Sequence, residues 1–110
     1  MTSFEDASLV LSKWRDESAL LDFVLADSRW LTVMARCTVT GFERFMLTVE
    51  NESTRISLGL AKADFRYEDR RAKLRFIRKD VDLRDAVCAL RVKFPTGAIA
   101  ILVELKGIEQ

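Results

Sequence analysis

Leu31-Thr32-Val33-Met34-Ala35-Arg36-Cys37-Thr38-Val39-Thr40 is the stretch whose reading decides the fold class. Leu31, Val33, Ala35, Cys37 and Val39 alternate with Thr32, Met34, Arg36, Thr38 and Thr40, and a period of two belongs to a strand with one face on a core and the other towards water. Downstream, Phe45, Leu47 and Val49 alternate with Arg44, Met46 and Thr48, and Ile56, Leu58 and Leu60 alternate with Arg55, Ser57 and Gly59. The links at Thr40–Glu43 and Glu50–Ser53 are hairpin-sized, and sequential strands with short links pair antiparallel. An earlier strand is expected at about Leu20 to Ala26, turned by Asp27-Ser28-Arg29, so four strands precede residue 61.

Towards the C-terminus, Leu90, Val92 and Phe94 alternate with Arg91 and Lys93; Pro95-Thr96-Gly97 turns the chain; Ile99, Ile101, Val103 and Leu105 return it. Ala98, Ala100 and Leu102 make the second face of the return strand apolar as well, which predicts a strand central in the sheet or covered by a helix. Leu58, Val92 and Ile101 are expected mid-strand core positions.

Upstream, the period changes. Phe4, Ala7, Val10, Leu11 and Trp14 recur at spacings of three and four, with Glu5, Asp6, Ser8, Ser12, Lys13, Arg15 and Asp16 on the other face, which predicts an amphipathic helix over about residues 4–17 with Trp14 in the core. Thr2 or Ser3 caps it, and the acidic first turn suits the positive end of the helix dipole. Residues 61–85 carry the weakest periodicity. Phe65-Arg66-Tyr67 and Leu74-Arg75-Phe76 read as short strands in preference to a helix over 61–73, and Asp80–Asp85 as one helical turn. The sum is a single α+β domain over residues 1–110: an N-terminal amphipathic helix packed on a curved, mainly antiparallel β-meander or small β-barrel covering about residues 20–106.

Composition excludes several function classes. Histidine, the usual general base and transition-metal ligand, is absent from the 110 residues, which removes the commonest nucleophile and metal chemistries. Cys37 and Cys88 stand 51 residues apart, each among apolar neighbours and without CxxC spacing, so they read as small buried hydrophobes. The four glycines form no phosphate-cradling loop. Asp80, Asp82 and Asp85 lack the turn glycine and closing glutamate of a calcium loop. Neither a cofactor nor a metal is expected. The longest apolar run, Ala98–Val103, has six residues against the roughly 20 a membrane-spanning helix requires, and the N-terminus is acidic, so the expected location is the cytoplasm.

Charge is nearly balanced overall, 18 basic against 17 acidic residues, but unevenly placed. Residues 62–79 hold eight basic and three acidic side chains, a local net of +5, whereas residues 1–61 hold six and nine, a net of −3. Arg66, Arg70, Arg71, Lys73 and Arg75 are therefore candidate contacts for a polyanion or an acidic protein surface, with Phe65, Tyr67 and Phe76 interleaved as aromatic platforms. Trp30 and Met34, on one face of the deciding strand, form a candidate apolar interface unless the helix covers them. The chain is expected to be a small β-rich, non-enzymatic module that self-associates, as a dimer or larger, or docks to another protein. The alternative is a binder of single-stranded nucleic acid through residues 62–79.

Overall fold

The computed structural model describes residues 2–69 and 86–105. The elements run α1 (Phe4–Glu17), β1 (Leu21–Ala26), β2 (Leu31–Glu43), β3 (Met46–Glu50), β4 (Arg55–Gly59), β5 (Asp64–Asp69), β6 (Ala86–Lys93) and β7 (Ile99–Leu105). The expected strand Leu74–Phe76, the helical turn at Asp80–Asp85 and the side chains of Arg70, Arg71, Lys73 and Arg75 lie outside the described residues. The Phe65-Arg66-Tyr67 stretch is a strand, as expected, within β5.

Among the described residues, seven strands form one antiparallel sheet in the order β4-β3-β2-β1-β7-β6-β5, which does not close. Two meanders, β1–β4 and β5–β7, are joined side by side through the pairing of β1 with β7. The return strand β7 is thus internal, flanked by β1 and β6, and both of its faces are buried. Ala100 and Leu102 enter the main core with α1, while Ile101 and Val103 join Val24, Ala86 and Ala89 in a second cluster on the other face. At the β6–β7 turn Gly97 takes φ +95, a conformation that costs glycine little and a side-chain-bearing residue far more. No helix among the described residues is long and apolar enough to cross a membrane.

The helix forms where its periodicity predicts. The Ser3 side chain accepts a hydrogen bond from the Asp6 N–H at 3.1 Å, satisfying one of the free donors of the first turn. Ser18 ends the helix in the left-handed region at φ 50, and the Ala19 N–H donates to the Trp14 carbonyl. Ala7, Leu11 and Trp14 bury their side chains against the sheet. The Trp14 indole Nε1–H donates to Glu104 Oε1 at 2.6 Å, fixing α1 to β7 across 90 residues of sequence. Ser3→Ala is expected to cost about 1 kcal/mol, read as the change in urea midpoint at unchanged slope.

The sequence reading of β2 requires two corrections: the strand runs through the expected Thr40–Glu43 link and turns at Arg44-Phe45, where Phe45 is exposed instead of in the core, and its first half turns the opposite face inwards. Leu31, Val33 and Ala35 are exposed and Met34 is buried at 3%, the reverse of the alternation expected. The cause is a bulge: Leu21 pairs with Cys37 and Phe23 with Met34, so one residue of β1, Asp22, spans two of β2. Arg36 absorbs the extra residue at φ 52, and its N–H donates to Asp22 Oδ1 at 3.1 Å. A bulge adds one residue and inverts the face of everything before it. A second bulge between Val39 and Gly41 resets the phase again, so Met34, Cys37, Val39 and Phe42 all face the core that α1 covers.

Candidate interaction surface

Among the described residues, β2 has a neighbour on its outer side along its C-terminal half only. Its C-terminal half, from Thr38 to Glu43, pairs with β3, whereas Leu31–Met34 pairs only with β1. Among the described residues no strand occupies the other edge of that segment. The Asp27 N–H donates to the Trp30 carbonyl across the β1–β2 turn, so residues 30, 32 and 34 aim their backbone groups at β1, and by alternation Leu31, Val33 and Ala35 aim theirs away. Asn51 agrees with this phase: its Nδ2 donates to the Ala35 carbonyl from the open side at 3.3 Å. An unpaired edge of this kind invites another strand unless it is short, charged or covered.

This edge is apolar. Leu31 is 40% and Val33 59% exposed, and Trp30, which precedes them, is 50% exposed. Trp30 also lines a cavity of about 350 Å³ with Leu25, Leu58, Phe94 and Pro95, where β4 meets the β6–β7 turn. At the other end of the open edge, Ala35, Arg36 and the Asn51–Ser53 turn line a second cavity of about 280 Å³. Asn51 shapes that turn, its Oδ1 accepting from the N–H groups of Ser53 and Thr54 at 2.9 Å each.

Of the two interface candidates taken from sequence, Trp30 stands on this surface and Met34 does not. Met34 lies in the core beneath α1 because the bulge at Arg36 turns it inwards. Leu31 and Val33, which sequence reasoning assigned to the core, take its place outside. The signal for the bulge was a charged residue, Arg36, at the centre of an apolar strand with Asp22 in the neighbouring strand.

Of the five candidate basic contacts, Arg66 falls within the described residues. It lies opposite Arg91 on β6 and makes an ion pair with Glu68 at 3.0 Å. The aromatic platforms are not beside it. Phe65 is buried in the core, and its ring lies 5.7 Å from that of Phe4. Tyr67 bonds to Cys88, a core residue on the face away from Arg66. The N-terminus further covers the outer edge of β5, where the Thr2 N–H donates to the Phe65 carbonyl and Thr2 Oγ1 accepts from the Tyr67 N–H.

Both cysteines are buried and free. Burial pushes the Cys37 thiol up to about 11, the Asp22 carboxylate adding to the effect, and its Sγ–H donates to the Leu21 carbonyl at 3.4 Å. Burial also raises the Cys88 thiol, the hydrogen bond with Tyr67 partly opposing it. The reactive form of cysteine is the thiolate, so neither thiol should react with a thiol-specific reagent at pH 8 until the chain unfolds. An unfolded thiol titrates near 9.0 and folded Cys37 near 11; the folded state therefore holds its proton more tightly, and this contribution to stability is complete below pH 9 and lost towards pH 11. The measurement is the melting temperature between those pH values, which should fall more steeply in the parent than in Cys37→Ala.

No group of three or more cysteine and acidic side chains among the described residues is placed to hold a metal. Comparison of the chain with protein-family models, curated proteins and solved structures gives no match, so the functional reading rests on the molecule's own geometry.

Proposed function

We propose that the chain is a non-enzymatic protein-interaction module, working by self-association or by docking to another protein through the open edge of β2. The observation that carries this reading is the coincidence, at Leu31 and Val33, of backbone groups that pair with no strand on their outer side among the described residues and of exposed apolar side chains. Either feature alone is common on small domains; together they match what an added strand requires, hydrogen bonds from its backbone and apolar contact from its side chains.

Strong curvature of the sheet belongs to the same reading. β4 and β5 are opposite edges of a seven-strand order, yet only residues 60–63 join them. Strands about 4.8 Å apart would separate the edges of a flat sheet by about 29 Å, beyond the reach of five chain steps, about 18 Å. Phe4 supports a curled arrangement, its ring standing 5.0 Å from Phe45 at the β2–β3 turn and 5.7 Å from Phe65 on β5. Curling of this kind wraps the core around α1 and leaves the β2 edge facing outwards.

The alternative, single-stranded nucleic-acid binding through residues 62–79, has less support from the described part of that segment. Arg66 is paired with Glu68, the ring of Phe65 is in the core, and Tyr67, 37% exposed, lies on the face away from Arg66. The discriminating experiment measures mass in solution over a range of protein concentration at low and high salt, alongside titration with homopolymer DNA and RNA. Association with protein and no binding of nucleic acid is the expected result. Nucleic-acid binding that weakens steeply with salt, the mark of phosphate neutralisation, would overturn the reading.

A further inference from the structure

We infer that the occupant of the open β2 edge is the same edge of a second copy of this chain, paired antiparallel across a two-fold axis at Val33. The inference rests on the interaction-module reading above and names its partner. Its basis is the self-complementarity of the edge. An isologous pair needs a segment that matches its own reversal, and antiparallel pairing centred on Val33 sets Val33 against Val33, which exchange both backbone bonds because Val33 aims its N–H and C=O outwards, and Leu31 against Ala35, whose carbonyl also accepts from Asn51 Nδ2. The exposed apolar side chains, Leu31 and Val33, then meet each other on one face.

The ends of the segment fit the same axis. Counting outwards from Val33, the second copy's Trp30 arrives opposite Arg36, and its Ser28-Arg29 turn lies just beyond. At that level the lane alongside β2 is already taken, because Thr38 pairs with Glu50 and the Asn51 side chain reaches back to Ala35. The incoming strand therefore stops against the Asn51–Thr54 turn. There the exposed Arg29 of one copy comes to the exposed Glu52 of the other, and Trp30 comes to the cavity lined by Ala35, Arg36 and the same turn. Length, apolar contact and charge are all satisfied by one axis, and each appears twice by symmetry.

Cross-linking and charge reversal test this arrangement. Val33→Cys places two thiols at directly opposed strand positions, within the Cα separation a disulfide tolerates, and a covalent dimer should form under mild oxidation at concentrations where the parent is a dimer. Val33→Lys should weaken dimerisation at least about tenfold, since like charges directly opposed across a strand pair repel. An unchanged circular-dichroism spectrum will show that the variant is folded. Arg29→Glu and Glu52→Arg should each weaken the dimer several-fold, and the double variant should restore it. A parent that stays monomeric at every concentration overturns the two-fold dimer, while a different protein bound through Leu31 and Val33 would preserve the module reading. A parent dimer unaffected by Val33→Lys, with Val33→Cys remaining reduced, also overturns the proposal and places self-association on another surface.

Discussion

Phe23→Ala is expected to lower the stability of the fold by about 3–5 kcal/mol. Phe23 is fully buried at the centre of β1, the strand that joins the two meanders, and its register partners Met34 on β2 and Leu102 on β7 are core residues too. Removing the ring leaves a void that those neighbours fill only in part, because each is fixed in its own ladder. For a small domain whose total stability is about 5–15 kcal/mol, the loss is a large fraction of the whole. Leu58 provides the contrast. Its alternation made it equivalent to Val92 and Ile101, but it is half-buried on the edge strand β4, so Leu58→Ala should cost only about 1–2 kcal/mol. Urea titration of both variants checks the order, and equal midpoints would mean that β1 is not the centre of the core.

Much of this architecture was readable in the residues. The helix from Phe4 to Glu17 announces itself by spacing and by Ser3, and β2, β3, β4, β6 and β7 coincide with period-two runs, whereas β5 falls in the stretch of weakest periodicity. What could not be read was the order of strands in the sheet. A run of short-linked strands suggests one continuous meander, whereas the pairing of β1 with β7 depends on contacts some 80 residues apart that no local pattern encodes. The double-sided apolar character of β7 was the one sequence feature that bore on it, since only an internal strand with both faces covered tolerates Ala100, Leu102, Ile101 and Val103 together. Burial of that second face separates Ile101 from Val92, which the alternation had placed in the same layer.

The candidate site was legible only in part, and for a different reason. Trp30 stands out in the sequence because alternation sets it, with Met34, on the face opposite Leu31 and Val33. Leu31 and Val33 were missed because apolar residues at period two are assigned inwards by default, and a single bulge defeats that rule without changing composition. The basic run from Lys62 to Lys79 drew attention through net charge alone. Charge counting cannot see that Arg66 faces Glu68, or that Phe65 serves the core in place of a ligand.

The opposed fates of Met34 and Val33 give the sharpest test of the bulge. Met34→Lys should cost several kcal/mol or abolish folding outright, because Met34 is 3% exposed in the core beneath α1 and an ammonium there loses the water that keeps its charge. Val33→Lys should change stability by no more than about 0.5 kcal/mol, the usual range for an exposed site, since Val33 is 59% exposed and lysine is well suited to an edge. A regular strand from Leu31 to Val39 would give the reverse outcome, with Val33 in the core and Met34 in water. The pair therefore reports directly on Arg36 and its bond to Asp22, the contact that turns one residue inwards and the other out. Thermal melts of the two variants at a protein concentration low enough to keep the chain monomeric separate this local effect from any loss of association. If Val33→Lys melts far below the parent while Met34→Lys does not, β2 carries no bulge at Arg36, Leu31 and Val33 belong to the core, and the open edge has no apolar side chains to offer a partner.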